Sequence, residues 1–437
     1  MTLCEWLELQ ERVHARSIDL GLERVALVAR ALELSQPRYR VITVAGTNGK
    51  GSTVAFLDAL LRAAGYRTGT LTSPHLLRYN ERVRLDGAQA SDASLVGAFE
   101  RIEQARGRTT LTFFEYNTLA ALLVFAEAAV DVAVLEVGLG GRLDATNVVD
   151  PDVAVLASVG FDHRDWLGDT LEAIGAEKAG IFRAGRPAVL GTAQMPQSVH
   201  AAIERLGAHP VVAERDFTWS VGPGHFSYHG LGLELADLPL PALEGAIQVR
   251  NAATALASYE SLPGAPPLTH ARASEALRSA HLAGRFQVMR LPAAPEGAAV
   301  EWILDVAHNE PAAQVLGANL RARPPVARTY GVCGILRDKD VEAIGRALHG
   351  LIDEWIVCAL PGPRGSTGPE LAGRLATVVA VAWVADSVGA GCELARARAR
   401  PDDRVVVFGS FATVGSALEW LGYTDTDTRT RPVREYA

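Results

Sequence analysis

Cysteine is scarce in this sequence. The 437 residues include four cysteines, at positions 4, 333, 358 and 392, and no two of them have the CxxC spacing of a metal or redox motif. So few cysteines in so long a chain exclude a disulfide-stapled fold. They are typical of a protein from the reducing cytoplasm.

Long apolar runs are also lacking. Residues 1–25 carry charges every few positions, so they do not contain the apolar centre of a signal peptide. The longest apolar run, Val130–Leu139, is interrupted by Asp131 and Glu136 and is far too short to cross a membrane. We therefore expect a cytoplasmic protein without a membrane partner.

The chain has no excess of positive charge. Its 42 basic residues face 50 acidic ones, which gives a formal net charge of -8. Nucleic-acid-binding surfaces concentrate positive charge, so we expect no nucleic-acid partner. Hydrophobic residues make up 49% and charged residues 21%, which are globular proportions, and the length favours two domains.

Strand and helix signals alternate along most of the chain. Short β-branched runs at Val41–Val44, Val132–Val137 and Val153–Val159 are typical of buried parallel strands, and Val54–Ala64 and Leu119–Ala129 have helical composition. Further strands are predicted at Trp302–Val306, Thr329–Cys333, Glu354–Cys358 and Arg404–Phe408. The fold class is therefore α/β: a P-loop N-terminal domain with a mostly parallel sheet, and a smaller Rossmann-like α/β C-terminal domain.

A short stretch rich in Pro, Ala and Gly, Leu291–Ala299, is the best candidate for a linker. It predicts one domain over residues 1–290 and a second over residues 300–437. Ala213–Pro241 differs from its surroundings in its many glycines and aromatic residues, and we expect a small β insertion there.

A glycine-rich loop follows the first strand. Ala45–Thr53 reads AGTNGKGST and leads into a helix, so its backbone N–H groups can converge on phosphate oxygens and Lys50 can reach the terminal phosphates. The strict GxxxxGK[ST] pattern is not met, because Gly51 separates Lys50 from Ser52. We predict a nucleotide phosphate site.

Polar residues follow two other predicted strands. Glu136 ends one strand and precedes a glycine-rich turn, and His163 follows the next strand; parallel strands would bring both to one sheet edge, where they can hold a magnesium-like cation. Taken alone, Glu136 is equally consistent with a solvated strand-end charge. Judged by residue type alone, Lys178 is interpreted as a lysine at the end of a helix, and Thr72–His75 as a simple turn.

Taken in order, these motifs resemble a known family. They are Gly46–Ser52, Ser73–Leu76 with Glu81 and Arg82, Phe114–Glu115, Glu136–Asn147, Glu177–Ile181, Asp305–Asn309 and Asp338–Asp340. The set is similar to the folylpolyglutamate synthases in their bacterial bifunctional form, which are also dihydrofolate synthases and form a branch of the Mur ligase superfamily. The resemblance spans almost the whole chain.

The resemblance implies ATP as co-substrate. By this resemblance, the residues that would bind ATP are Asn48, Gly49, Lys50, Gly51, Asn251, Arg285 and Asp305. Catalytic roles would fall to Lys50, Lys178 and His308. The domain over residues 1–290 would then be the ATP-binding Mur-type domain, and the site would lie in a cleft between two domains that close and exclude water.

Two magnesium ions are also implied by the resemblance. Ser73 and Glu136 would bind one ion, and Glu136, His163 and Lys178 would surround the other. The lysine that matches Lys178 is carbamylated in such enzymes, which replaces a repelling ammonium by an oxygen ligand.

A pterin pocket is implied by three further segments. They comprise Asp19, Leu20, Gly21 and Leu22; Thr112, Phe113, Phe114 and Glu115; and Leu143, Asp144 and Ala145. The aromatic rings can stack on a flat heterocycle, although such residues are usually core. The partners implied are dihydropteroate, tetrahydrofolate species and L-glutamate, and the chain is expected to be a monomer.

The reaction implied begins with attack of a pteroate or folate carboxylate on the γ-phosphate of ATP, followed by capture of the acyl phosphate by the amine of glutamate. Two alternatives are a Mur-type ligase for a peptidoglycan precursor and a P-loop switch without ligase activity. A purely structural module is hard to reconcile with two polar clusters on one sheet edge.

Overall fold

A computed structural model describes residues 1–16, 18–292 and 299–423. The chain forms two compact units. The first comprises Met1–Ala242 and Gln248–His281, and the second comprises Leu243–Ile247 and the chain from Leu282 onward. The predicted α/β class is confirmed, since each unit contains a predominantly parallel sheet with helices between its strands.

The sheet of the first unit has the order β4-β3-β2-β5-β1-β6-β7-β8. Its strands are β1 (Arg40–Ala45), β2 (Thr68–Leu71), β3 (Val83–Leu85), β4 (Ala88–Gln89), β5 (Val132–Glu136), β6 (Val153–Leu156), β7 (Pro187–Leu190) and β8 (His209–Val212). All pairs are parallel except β2–β3 and β3–β4. Every residue of β5 and β6 is buried, which explains why these strands are continuous apolar runs rather than alternating ones.

The helices of the first unit precede, connect and follow these strands. They are α1 (Leu3–Val13), α2 (Glu23–Ala31), α3 (Lys50–Ala63), α4 (Asp92–Arg106), α5 (Phe113–Glu127), α6 (Arg164–Leu167), α7 (Leu171–Lys178), α8 (Gln197–Leu206), α9 (Ala246–Glu260) and α10 (His270–Ser279). Short 3-10 turns occupy Tyr79–Arg82, Ala145–Val148 and Ala179–Ile181. A large apolar cluster joins α1, α2, α4 and α5 to the sheet.

The segment expected to be a β insertion contains β9 (Thr218–Gly222), β10 (His225–His229) and β11 (Glu234–Pro239). They form an antiparallel three-stranded sheet of order β11-β10-β9. Glu260 at the end of α9 holds it, because its carboxylate accepts hydrogen bonds from Tyr228 Oη at 2.6 Å and Leu233 N at 2.7 Å.

The second unit has the sheet order β12-β13-β17-β14-β15-β16. Its strands are β12 (Gln287–Pro292), β13 (Ala299–Asp305), β14 (Thr329–Cys333), β15 (Glu354–Cys358), β16 (Val381–Ala385) and β17 (Arg404–Phe408), and its helices are α11 (Glu310–Ala322), α12 (Val341–Ala347), α13 (Gly368–Leu375), α14 (Val388–Arg398) and α15 (Phe411–Trp420). Only the pair β12–β13 is antiparallel among these described strands.

The division between the units differs from the predicted one. The second unit resumes at Leu282, before the predicted linker over 291–299. Leu291 pairs with Val300 and Pro292 with Ala299 in the β12–β13 ladder, while residues 293–298 lie outside the described residues. A stretch rich in Pro and Gly is as typical of the connection between adjacent strands as of a linker. Among the described residues, no helix is long and apolar enough to cross a membrane.

Candidate active site

The phosphate loop connects β1 to α3. Gly49 caps the helix with φ of 86°, a left-handed conformation that favours glycine, and Lys50 is the first helical residue. A β-carbon on Gly49 would lie 3.0 Å from Asn251 Oδ1, so α9 lies against the loop at this point. The loop is thus the N-terminus of a 14-residue helix, which attracts anions, and Asn251 is its neighbour.

The loop is held in place by the segment that follows β6. Asn48 N donates to Ser158 Oγ at 3.1 Å, and Ser158 Oγ donates back to Asn48 O at 2.9 Å. Lys50 Nζ donates to Gly46 O at 3.0 Å, so the lysine folds back over the loop. The Thr53 hydroxyl donates to the backbone oxygen of Gly49 at 2.9 Å, a contact within the helix. Ser52 is the other hydroxyl that follows Lys50, and it does not make this contact with Gly49.

Glu136 lies beside this loop, since it pairs with Val44 in the β1–β5 ladder. Its side chain is buried rather than solvated, at 5% exposure. Ser73 N donates to Glu136 Oε2 at 3.3 Å, so the two residues predicted to share a magnesium ion are adjacent. A hydroxyl and a carboxylate offer the oxygen donors that hard cations prefer.

Arg82 is a buried cation to which the sequence analysis assigns no role. Its guanidinium lies 5.6 Å from the ring centroid of Tyr79 and 5.3 Å from that of Phe113, and its Nε donates to His75 Nδ1 at 2.8 Å. Burial, together with the charge of Arg82, lowers the pKa of His75 to about 4, so His75 stays a neutral acceptor. Arg82 also lies in the field of Glu136.

Lys178 ends α7 and is 4% exposed. Burial lowers the pKa of its amine to about 7, and the positive charge of Lys50 acts in the same direction, while Asp162 and Asp144 oppose it. A lysine in this state has a large neutral fraction near neutral pH, and the neutral amine is the form that reacts with carbon dioxide. Lys178 is therefore a helix-end lysine, but one that is buried rather than solvated.

His163 is the N-cap residue that precedes the short helix α6, and it has a left-handed conformation with φ of 51°. Its backbone N donates to Asp162 Oδ1 at 2.9 Å, and its Nε2 lies 3.9 Å from Asp162 Oδ2. Asp162, which the sequence analysis did not single out as a site residue, is thus close to His163 and electrostatically coupled to Lys178.

Within the described ranges, no group of three or more His, Cys, Asp or Glu side chains is arranged as a metal site. The predicted ligand set includes only two residues of these types, Glu136 and His163. The remaining ligands would be the Ser73 hydroxyl and the carbamate of Lys178.

The glycine-rich turn after β5 interlocks with the end of α7. Arg142 N donates to Glu177 O at 2.8 Å, and Asn147 Nδ2 donates to Gly180 O at 3.1 Å. A β-carbon on Gly141 would lie 2.8 Å from Lys178 O, so the two segments are in close backbone contact. The turn that carries Leu143, Asp144 and Ala145 is therefore fixed against Lys178.

The three predicted pterin segments all belong to the first unit. Asp144 is buried, which raises the pKa of its carboxyl, and it accepts hydrogen bonds from Leu139 N at 2.9 Å and Thr146 N at 3.0 Å. The ring of Phe114 lies against Gly138, where a β-carbon would come within 2.7 Å of it. The segment Asp19, Leu20, Gly21 and Leu22 precedes α2, and the segment Thr112, Phe113, Phe114 and Glu115 begins α5.

Three predicted residues form a cluster in the second unit. Asp305 accepts hydrogen bonds from Phe286 N at 2.9 Å and Ala307 N at 2.8 Å, and burial raises the pKa of its carboxyl against the charge of Arg285. The Arg285 guanidinium lies 4.9 Å from the ring centroid of Phe411, and the His308 ring lies 6.0 Å from it. Phe411 is therefore a further member of this cluster that motif reasoning did not single out.

Comparison with known proteins supplies the context for this site. The Mur ligase middle domain family matches residues 44–195, and the Mur ligase glutamate ligase domain family matches residues 284–411. The dihydrofolate synthase/folylpolyglutamate synthase of Escherichia coli (strain K12) is 42% identical over 419 residues, which covers 95% of each chain.

Two solved structures are similar over nearly the whole chain. Escherichia coli FolC in complex with DHPP and ADP has a TM-score of 0.90 at 41% identity, covering 97% of this chain and 98% of that one. A bifunctional folylpolyglutamate synthase/dihydrofolate synthase with Mn, AMPPNP and L-glutamate bound has a TM-score of 0.88 at 41% identity, with the same coverage.

Proposed function

Because the chain belongs to the dihydrofolate synthase/folylpolyglutamate synthase family of the Mur ligases, we propose that it is an ATP-dependent ligase for L-glutamate. It joins glutamate to dihydropteroate, giving dihydrofolate, and to tetrahydrofolate, giving polyglutamates. The observation that carries the proposal is Lys178, which is buried at the end of α7 against the glycine-rich turn that follows β5. The charge of Lys50 in the phosphate loop acts together with this burial to lower the pKa of the Lys178 amine. A simple P-loop switch has no need of that pair.

The ATP would lie on the phosphate loop. Its phosphates would contact Asn48, Gly49 and Gly51, with Lys50 swinging from Gly46 O to the terminal phosphate. Asn251 is adjacent to Gly49 and would also contact the nucleotide. By resemblance, Arg285 and Asp305 are the nucleotide residues of the second unit.

The donor set fits magnesium. Ser73 and Glu136 would hold one ion through oxygen atoms, since the Ser73 backbone already donates to the Glu136 carboxylate. Glu136, His163 and Lys178 would hold a second, with Lys178 as its carbamate. When bound, these ions supply positive charge that balances the phosphate oxygens in the transition state.

In the first step, a carboxylate oxygen of the substrate attacks the γ-phosphorus of ATP. An O–P bond forms, the bond to ADP breaks, and an acyl phosphate results. The neutral α-amine of glutamate then attacks the acyl carbon, phosphate leaves and the amine loses a proton. Lys50 would stabilise the phosphate oxygens in both steps. We propose His308 as a further catalytic residue of the reaction.

The decisive experiment offers dihydropteroate and tetrahydrofolate separately to the purified chain, with ATP, magnesium and labelled glutamate. We expect amide product and stoichiometric phosphate from both. E136A should lower turnover by about a hundredfold or more, as expected for loss of a metal ligand, whereas the exposed-site variant E234A serves as the matched control.

Undiminished turnover of E136A would exclude the metal assignment. Ligation of an amino acid to a UDP-sugar precursor, with none to either pterin substrate, would instead favour a peptidoglycan ligase. We also propose a monomer, which sedimentation of the active enzyme tests.

A further inference from the structure

An ion-pair network joins two of the segments predicted to bind the pterin. Arg24 on α2 donates from Nη1 to Asp19 Oδ2 at 2.8 Å and from Nη2 to the backbone oxygen of Asp19 at 2.6 Å. The same Nη2 lies 3.2 Å from Glu115 Oε1. One guanidinium therefore holds a carboxylate from each segment, which is the geometry that arginine suits best.

The Glu115 end of this network is fixed to the core. Glu115 is 3% exposed, and its Oε2 accepts a hydrogen bond from Thr112 N at 2.7 Å. Thr112 Oγ1 accepts in return from Glu115 N at 3.3 Å, so the pair forms a capping box at the start of α5. Glu115 thus gives Arg24 a rigid reference point.

At the Asp19 end, the donors gather on one carboxylate oxygen. His14 Nε2 lies 3.1 Å from Oδ2, the atom that Arg24 Nη1 also reaches, while His14 Nδ1 lies 2.9 Å from Thr110 Oγ1. Among the described residues, Asp19 Oδ1 has a charged neighbour only in Arg16, at 3.7 Å, and the Arg16 side chain is 76% exposed.

The network also favours the ionised form of Asp19. Burial acts to raise the pKa of this carboxyl, but the hydrogen bond with His14 and the charges of Arg24 and Arg16 outweigh it, so the pKa is lowered. Asp19 Oδ2 is already bound by Arg24 and His14, so Oδ1 is the carboxylate oxygen that Asp19 offers to a ligand. The Asp19 side chain is 25% exposed, so a ligand can reach it.

We propose that Arg24, assisted by His14, is a positioning residue of the pterin site, which fixes Asp19 so that Oδ1 accepts hydrogen bonds from the donor edge of the pterin ring. That edge carries an N3–H group and a 2-amino group side by side. Because Arg24 and His14 already engage Oδ2, Oδ1 is the oxygen that accepts from this edge, with the 2-amino group as its donor. The inference rests on the proposed function and extends it to two residues, Arg24 and His14, outside the predicted pterin set.

A network that only stabilises the fold makes a different prediction. Breaking it would weaken the binding of every ligand of this pocket alike. Loss of positioning instead weakens the ligand that uses Asp19 more than a ligand that lacks the donor, because a site built to pair with a donor penalises its absence.

The test measures equilibrium binding to the intact chain by calorimetry, in the presence of ADP and magnesium. The ligands are dihydropteroate and its analogue without the 2-amino group. R24Q should raise the Kd for dihydropteroate about ten- to hundredfold and the Kd for the analogue much less, so that the preference of the wild type is lost. H14Q should act in the same direction with a smaller effect.

R30Q, at an exposed position of the same helix, is the matched control and should bind both ligands as the wild type does. Equal weakening of both ligands in R24Q and H14Q, or no weakening of either, overturns the role of Arg24. If R24Q does not fold, H14Q still tests whether the contacts to Asp19 Oδ2 position the ligand, and equal weakening of both ligands by H14Q overturns the proposal. Failure of the proposed function is distinguishable, because it appears as absent glutamate-dependent phosphate release by the wild type, while binding needs no turnover.

Discussion

Lys178 and Lys50 are close enough for the charge of Lys50 to help lower the pKa of the buried Lys178 amine. The two lysines come from the end of α7 and the start of α3, which are 128 positions apart in the sequence (178 minus 50). Their proximity disfavours the charged form of Lys178 in the ligand-free chain. It also means that conversion of Lys178 to an anionic carbamate would replace a repulsion by an attraction.

The first prediction concerns the stability of the metal-free, carbon-dioxide-free chain. The pKa of Lys178 is about 7 when folded, against an ordinary value of 10.5. Between about pH 7 and pH 10.5 the unfolded chain therefore binds up to one more proton than the folded chain, and stability rises with pH by up to about 1.4 kcal/mol per unit. Below both pKa values the full penalty is present.

K178M lacks this titration. We expect urea unfolding to find it more stable than the wild type near pH 7, with the difference shrinking toward pH 9. R30Q should track the wild type at each pH. A wild-type stability that stays level with K178M across this range would contradict the burial argument.

A second prediction concerns Gly49. Alanine there would be strained by about 1–2 kcal/mol, because φ is 86°, and its β-carbon would meet Asn251 Oδ1 at 3.0 Å. We expect G49A to raise the KM for ATP about tenfold by displacing the loop, with the KM for glutamate unchanged. Steady-state kinetics measure both KM values. An equal rise in the KM for ATP and the KM for glutamate would indicate that the substitution disturbs the whole active site rather than the phosphate loop.

A third prediction compares two glycines without positive φ. A β-carbon on Gly180 would lie 2.3 Å from Arg142 Cβ and 2.5 Å from its Cα, whereas a β-carbon on Gly97 meets nothing within 4 Å. G180A should cost about 1–3 kcal/mol of unfolding free energy, because the backbone itself must shift. G97A, inside α4, should gain up to about 1 kcal/mol. Denaturant unfolding curves of both variants test whether the backbone is closely packed next to Lys178. An unfolding free energy of G180A equal to that of the wild type would refute this packing.

A fourth prediction concerns thiol reactivity. Cys4 is exposed, whereas Cys333, Cys358 and Cys392 are buried. Burial raises the pKa of Cys358 to about 12 and also raises those of Cys333 and Cys392. A chromogenic disulfide reagent should label one thiol in the native chain and four after denaturation, and C4S should remove the native signal. Rapid labelling of a second native thiol would show that the second unit opens readily.

Much of the sheet could be predicted from composition. The runs Thr329–Cys333, Glu354–Cys358 and Arg404–Phe408 match β14, β15 and β17, because buried parallel strands are short β-branched runs between turns. The starts of two helices were wrong. The helix predicted from Val54 begins at Lys50, since the phosphate loop turns directly into α3. The helix predicted from Leu119 begins at Phe113, although the Thr112–Glu115 capping box was visible in the sequence.

Only part of the candidate site could be predicted from the sequence. Glu136 and Lys50 could be placed on one edge, because parallel strands align their carboxyl ends. Arg82 could not be interpreted by the same reasoning, since its partner Phe113 comes from a helix about thirty residues away and no local pattern reports that contact. Burial decides the character of Lys178, and burial is a property of the packed fold.

The burial of Lys178 has a spectroscopic consequence. The sequence contains three lysines, Lys50, Lys178 and Lys339, so the chain offers few amines that could compete for dissolved carbon dioxide. Growth of a single slowly exchanging carbonyl resonance under ¹³C-enriched carbon dioxide, absent from K178M, would report the carbamate directly. The occupancy of one ligand could then be followed in solution before any turnover begins.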